Sequence, residues 1–342
     1  MTARLASKSH GHSKNPIHIS IILSAFKRPD LLQHALSAIA SQDFPSEKWE
    51  LIVIDDASLE ANRMTVESFR KKIKNLIFLS PGHQGSAKAR MNGFAVARGE
   101  ILAFTDEDTI PQKDWLTEIS KAFQKHSRAV GIEGFVHTDA QRALFSNAPS
   151  NQSGGIYLGC NTHYRKAIID RVGGYDPDYY FWREDTGLAF KALTQGEIVF
   201  VPEVKMYHPA KTISSFSILR NLRLAKDDFI LLRHFPMKTI GFLKNEWMKN
   251  FLGSLLAFGG IALIGAALET QQPLYQAIGI GVYPIARAII SLRGKQFSLQ
   301  EGIEFLLFSW AKDILYPLYF VSYALQVLVL GIPPQNKPRT SQ

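Results

Sequence analysis

Asp106 and Asp108 stand one residue apart at the end of a short apolar run, and Asp55-Asp56 ends another. Alternate carboxylates on a turn can offer oxygen to a hard divalent cation, which commonly takes one or two protein carboxylates plus substrate phosphates. The competing reading is a solvated acidic turn, because Asp-x-Asp alone is frequent by chance. Glu184-Asp185 comes just before an apolar-periodic stretch beginning near Thr186, where acids favour a helix N-terminus. The single cysteine, Cys160, has no base paired with it in sequence and reads as a small filler rather than a nucleophile.

These residues need a frame, and the apolar pattern supplies one. Residues 19–23, 51–54, 76–79 and 101–105 are apolar runs that predict strands. Residues 29–42, with Leu31, Leu32, Ala35, Leu36 and Ile39, and residues 86–98 predict helices. Strands alternating with helices predict an α/β domain whose mostly parallel sheet is flanked by helices. Ligands of such sheets bind beyond the carboxyl ends of the strands, where both acidic clusters fall. A helix over 164–172 ending at Gly173-Gly174 and a strand over 198–201 before a turn at Pro202 follow. No Gly-x-Gly-x-x-Gly follows the first strand and no P-loop pattern occurs, so neither dinucleotide nor P-loop chemistry has support.

Composition bounds the rest. The chain has 342 residues, 46% hydrophobic and 20% charged, with a net charge of +9. Wholesale disorder and a disulfide scaffold are excluded. Residues 1–16 are basic and lack the apolar stretch of a secretory signal, which predicts a flexible tail. The domain expectation is 17–215 for the α/β unit, 216–249 for basic juxtamembrane helices, 250–332 for transmembrane or interfacial helices, and 333–342 for a tail. Residues 250–268 are nineteen residues without a charge, close to the ~20 that span a bilayer core. Residues 274–292 are similar, with Arg287 near one end, and 314–332 form a third uncharged stretch. Between them, 297–310 has the one-sided apolar pattern of a helix lying in the interface. The alternative is a buried helical core in a soluble domain. Nine Lys/Arg against three acids over 205–249 put that approach on the cytoplasmic side. Without aromatic interleaving, the stretch does not predict nucleic-acid binding.

The motifs fall in a known order: Ser24-Ala25-Phe26-Lys27-Arg28; Ile54-Asp55-Asp56-Ala57-Ser58; Gly85 to Gly93; Ala97-Arg98-Gly99-Glu100; and Phe104-Thr105-Asp106-Glu107-Asp108. Gly159-Cys160-Asn161, Tyr164-Arg165-Lys166, Val172 to Asp176 and Trp182-Arg183-Glu184-Asp185 complete it. Over about 190 residues the chain resembles glycosyltransferase family 2, with its GT-A nucleotide-sugar fold. The resemblance implies a metal-dependent, inverting hexosyltransferase. It gives Ser24, Phe26, Arg28, Asp56, Arg90 and Asp106 to the donor, with Asp56 on the pyrimidine base and Asp106 near the ribose. Phe26 and Lys27 depart from the usual Tyr and Asn. It makes Asp108, with Asp106 and His208, the ligand set for Mn²⁺ or Mg²⁺. It makes Asp185 the general base and places Trp182 and Glu184 on the acceptor side.

A general base favours a hydroxyl acceptor, since a polyprenyl phosphate arrives already ionised. The processive signature Gln-x-x-Arg-Trp is absent. The expectation is therefore transfer from a nucleoside-diphosphate sugar, UDP by family habit, to a lipid-linked saccharide or glycolipid. Its setting would be cell-envelope polysaccharide synthesis at the inner or plasma membrane, with membrane lipids as partners. A polyprenyl-phosphate sugar synthase and a non-catalytic sugar-nucleotide-binding assembly subunit are the alternatives. A nucleotidyltransferase would leave Glu184-Asp185 unexplained.

Overall fold

The computed structural model describes residues 17–139, 143–179, 182–271 and 273–331. The expected tails at 1–16 and 333–342 lie outside them. In chain order the first half contains β1 (Ile19–Ala25), α1 (Pro29–Ala40), β2 (Trp49–Asp55), α2 (Glu60–Ser68), β3 (Leu76–Leu79), α3 (Ser86–Val96) and β4 (Ile101–Asp106). It continues with β5 (Ile110–Pro111), α4 (Trp115–Lys125), β6 (Gly131–His137), β7 (Ser146–Asn147), β8 (Thr162–Arg165) and α5 (Lys166–Val172). Then come α6 (Glu184–Ala192), β9 (Ile198–Tyr207), β10 (Lys211–Thr212), α7 (Ser217–Arg220) and α8 (Ala225–His234). The chain closes with α9 (Pro236–Thr270), α10 (Pro273–Ser291) and α11 (Leu299–Ala324).

Eight strands form one sheet in the order β3-β2-β1-β4-β8-β6-β9-β5. The first four are parallel; β8 runs antiparallel to β4 and β6, and β9 is parallel to β6. β1 and β2 are buried on both faces, which explains their unbroken apolar runs. One core packs α1 and α4 on one face, around Leu36, Ile39, Trp115 and Phe123. The other packs α3, α5 and α6, around Ala89, Ile169 and Leu188. α3 lies very close to the sheet because position 93 has no side chain. A Cβ on Gly93 would sit 2.7 Å from Ile54 Cδ1 and 2.9 Å from Ile22 Cγ2.

Three expectations need correction. The helix expected over 164–172 begins only at Lys166, because 162–165 pair as β8 between β4 and β6. The strand expected to end before Pro202 runs on to Tyr207. Its register against β6 slips between Gly134 and Phe135, so Pro202 sits in a bulge that needs no ladder donor. Most of the interfacial segment 297–310 and the first part of the third apolar stretch form one helix, α11, which ends at Ala324. It packs against the α/β unit and the start of α7, with the Phe305 ring 6.3 Å from that of Phe145 and the Phe308 ring 6.4 Å from that of Phe216.

Among the described residues, α9 and α10 are long and apolar enough to cross a membrane, by length and composition. They meet at Gly260 and Gly279, where a Cβ on either would touch the other helix's carbonyl oxygen at 3.0 or 2.9 Å. Small residues let apolar helices approach in this way. At the other end of the pair, α11 contributes Asp313, which is fully buried. Tyr283 donates to it at 2.8 Å, and Arg287 and Lys312 lie 3.3 Å away. Removing one partner from buried charges of this kind costs about 3–5 kcal/mol. Asp313→Ala is thus expected to lower the melting temperature of detergent-purified protein by roughly 5 °C or more at constant detergent; an unchanged value would show that this cluster does not hold the three helices.

Candidate active site

A cleft of about 770 Å³ opens at the carboxyl ends of β1, β2 and β4. Ser24, Phe26, Arg28, Asp56, Arg90, Asp106, Asp108, Trp182, Glu184, Asp185 and His208 all line it. Residues separated by more than 180 positions in sequence thus meet in one cavity, each delivered by the end of a strand or the start of a helix.

Asp56 directly follows β2. Its carboxylate accepts hydrogen bonds from the backbone N–H groups of Gln84 (2.7 Å) and Gly85 (3.0 Å), and pairs with His83 Nδ1 at 2.8 Å. A carboxylate has about four acceptor positions, so about one remains for a ligand. The Phe26 and His83 rings meet beside it at a tilt of 35°, with centroids 4.8 Å apart.

Arg28 reaches back to the acidic turn after β4. It donates to Glu107 at 2.6 Å and to Asp108 at 2.7 Å. Glu107, the middle residue of the motif, is buried and also accepts the Phe26 N–H at 2.7 Å. Burial pushes its carboxyl up to about 7, against the pull of Arg28. Burial would raise Asp108 too, but Arg28, Lys211 and His208 outweigh it and hold the group at about 2. Lys211 makes a short ion pair with Asp108, and His208 Nε2 lies 3.6 Å from its Oδ1. Sequence reasoning missed Glu107, the residue between the two predicted carboxylates, and Lys211, one of nine bases in the stretch 205–249.

Arg90 occupies the centre. It projects from α3 one turn before Gly93 and is only 4% exposed. Its Nη2 donates to Asp106 at 2.8 Å, and its Nη1 to Glu184 and Asp185, both at 3.2 Å. The resemblance gives this guanidinium to the donor; in the structure it lines the cleft while bonded to three carboxylates. Asp106 correspondingly faces Arg90 and Ser24, not Asp108.

The two acids at the start of α6 have different surroundings. The Glu184 side chain is 6% exposed and takes the Ser86 hydroxyl at 2.7 Å. Burial and the neighbouring Asp185 raise it to about 8. Asp185 is 25% exposed to the cleft. It accepts from Tyr175 OH at 3.1 Å and from the Gly159 N–H, and burial raises its pKa while Arg90 opposes the rise. Gly159 can approach because it has no side chain; a Cβ there would lie 2.1 Å from Asp185 Oδ2. The pair therefore also begins a helix, as its sequence position suggested.

The opposite wall, including Ile156, Tyr157 and Leu158, is held by Glu133 of β6. This buried carboxylate accepts N–H bonds from Gly155 (2.6 Å), Ile156 (2.8 Å) and Tyr157, and the Asn151 amide at 2.8 Å. Cys160 is a buried residue of the cleft lining, and burial pushes its thiol up, which fits a filler.

Residues 20–175 match the family model for glycosyl transferase family 2. Glycosyltransferase AglE of Haloferax volcanii is 33% identical over 206 residues, covering 56% of this chain and 67% of that protein. The chain belongs to glycosyltransferase family 2. Another relative is the poly(ribitol-phosphate) β-N-acetylglucosaminyltransferase TarS of Staphylococcus aureus, 25% identical over 200 residues. That alignment covers 56% of this chain but only 35% of TarS. In structure, this family 2 chain matches TarS residues 1–349 with a TM-score of 0.51 at 20% identity, covering 90% and 91% of the two chains. It matches the mannosyltransferase PcManGT of Pyrobaculum calidifontis, solved with GDP-Man and Mn²⁺, with a TM-score of 0.55 at 16% identity, covering 92% and 89%. These likenesses establish a shared GT-A fold, and the chain is a glycosyltransferase by family.

The acid pair gives a linkage prediction. Glu184 is raised in the folded state from an ordinary value near 4.5 to about 8. A raised acid stabilises the fold below its unfolded pKa and loses that contribution as pH rises through the folded value. The melting temperature should therefore fall between about pH 5 and pH 9, and Glu184→Gln should flatten that fall. Identical pH dependence in wild type and variant would show that Glu184 is ionised throughout.

Proposed function

We propose that this family 2 enzyme is a membrane-associated inverting transferase. It moves a sugar from a nucleoside-diphosphate sugar, with UDP the leading candidate, to a hydroxyl on a lipid-linked saccharide or glycolipid. One observation supports this most: Asp185 is the cleft-exposed, Arg90-bonded carboxylate of a pair whose partner is buried and raised. Burial raises both acids against Arg90, and the cleft-facing Asp185 is the one assigned as the anion of the pair. It has about one acceptor position left, and it takes the proton from the acceptor hydroxyl as that oxygen attacks the anomeric carbon. Trp182 lines the cleft beside it and offers a face to a sugar ring.

On the donor side, Asp56, Phe26 and His83 would receive the base, and Asp106 with Ser24 would lie near the ribose. Asp108 and His208 fit a divalent ion. Among the described residues no cluster of three ligating side chains is assembled. Asp108 Oδ1 and His208 Nε2, 3.6 Å apart, are nevertheless the two atoms that would together hold the ion. His208 Nδ1 faces the Pro209 carbonyl at 3.1 Å, which leaves Nε2 to ligate. Two protein ligands leave positions for a diphosphate, and an imidazole favours Mn²⁺ over Mg²⁺. When bound, the ion would neutralise charge growing on the leaving nucleoside diphosphate. Arg28 and Lys211 are poised to share that task.

Membrane association is supported by α9 and α10, which leave Leu255, Leu268, Ile280 and Ile289 about two-thirds exposed. Lys238, Lys244 and Lys249 line the approach to this apolar pair, and such residues attract anionic headgroups.

The test is binding of a nucleotide-sugar panel to detergent-purified protein with and without Mn²⁺. One donor should bind in a metal-dependent manner, and Asp108→Ala should abolish it. Asp185→Asn should keep that binding while transfer falls about 10²–10⁴-fold. Full transfer by Asp185→Asn would refute the base; no binding to any sugar nucleotide would refute the donor site.

A further inference from the structure

The turn that delivers Glu184 and Asp185 is held from outside the sheet. Arg183, immediately before them, has φ +62°, the left-handed region that non-glycine residues seldom adopt. Such a backbone persists only where its surroundings over-determine it. Here they come from the C-terminal helices. Arg183 Nε donates to Asp228 Oδ1 at 2.7 Å, and its Nη2 to Glu246 Oε2 at 3.1 Å. Its guanidinium also lies 4.9 Å from the Trp182 ring centroid and 5.5 Å from that of Phe242. The neighbouring Trp182 N–H donates to Asp227. Asp227 and Asp228 form the first turn of α8, while Phe242 and Glu246 belong to α9. The Trp247 side chain donates to Asp228 and so ties α9 to α8 at the same point. In the other direction, the Arg183 carbonyl accepts the Gly187 N–H at 2.8 Å, closing the first turn of α6.

We propose that Arg183 is a positioning residue that couples the acid pair of the site to α8 and α9. The carboxylate at position 185 holds its place only while the helices leading into the apolar hairpin grip the preceding turn. Full transfer then requires those helices to be seated. The proposal rests on the reading of Asp185 as the base, but its structural half can be measured without any substrate. Nothing in the sequence pattern marks this role: Asp227, Asp228 and Glu246 are the acids of a basic stretch.

The test uses the full chain in lipid nanodiscs. Two variants cut the grip in different ways. Arg183→Gly keeps the left-handed backbone free of strain and removes the guanidinium; Asp228→Asn keeps shape and removes the counter-charge. Hydrogen exchange is followed in the peptide containing Gly187. Transfer is followed as nucleoside diphosphate released from the sugar nucleotide selected by the binding panel. Both variants should exchange about tenfold faster in that peptide, with β1 and β4 unchanged. Their kcat should fall about ten- to a hundredfold, with the donor KM within about twofold. Wild-type exchange and kcat in both would overturn the proposal. So would exchange that rises equally in β1 and β4, since the effect would then be global. Asp185→Asn separates this from the reading beneath it: full transfer there removes the base assignment, whereas exchange at Gly187 still decides the coupling.

Discussion

The site depends on one buried guanidinium. Arg90 meets Asp106, Glu184 and Asp185, three carboxylates delivered by β4 and the start of α6, at 2.8, 3.2 and 3.2 Å. Unpaired charges cannot be gathered at such burial, because each carries a desolvation penalty of several kcal/mol. A single cation on a rigid helix makes the gathering feasible, and it does so only if that helix is close. Gly93 provides the closeness, letting α3 press onto β1 and β2 so that the fork one turn earlier reaches the strand ends. Burial then divides the acid pair, with Glu184 raised to about 8 and Asp185 left facing the cleft.

Around this centre, each wall of the cleft is fixed by a carboxylate that binds backbone. Asp56 holds the turn before α3, Glu107 holds the loop after β1, and Glu133 holds the loop over Ile156 and Tyr157. Loops held in this way are pre-shaped for a ligand, so little ordering is left to be done on binding. The turn that carries Trp182 and Arg183 differs, because it is gripped by α8 and α9 rather than by the sheet. The two sides of the cleft thus have separate supports, one within the sheet and one tied to the helices that carry the apolar surface.

Much of this was legible in the sequence. β1 to β4 were written in apolar runs, since strands buried on both faces need no polar alternation. The acidic pairs at their ends, and the order of motifs as far as Glu184-Asp185, pointed to the family. Less legible were β6 and β8: Gly131–His137 includes two glycines and a buried Glu, so it lacks a strand's periodicity. Pro202 read as a turn because a bulge is a tertiary accommodation invisible in local pattern. α11 read as two segments because its apolar face changes from docking on Phe145 and Phe216 to docking on α8 and α9. Pairings such as Arg90 with three acids, or Arg183 with Asp228, join residues 16 to 95 positions apart, and residue types alone do not select them.

The most direct test of the central interaction is the pH–rate profile of Arg90→Gln beside that of the wild type, with the melting temperature measured in parallel. Arg90 holds Asp185 down against burial. Without it, the acid limb of kcat/KM should move to higher pH and the melting temperature should fall, because buried carboxylates lose their counter-charge. A variant with the wild-type acid limb and melting temperature would contradict the account.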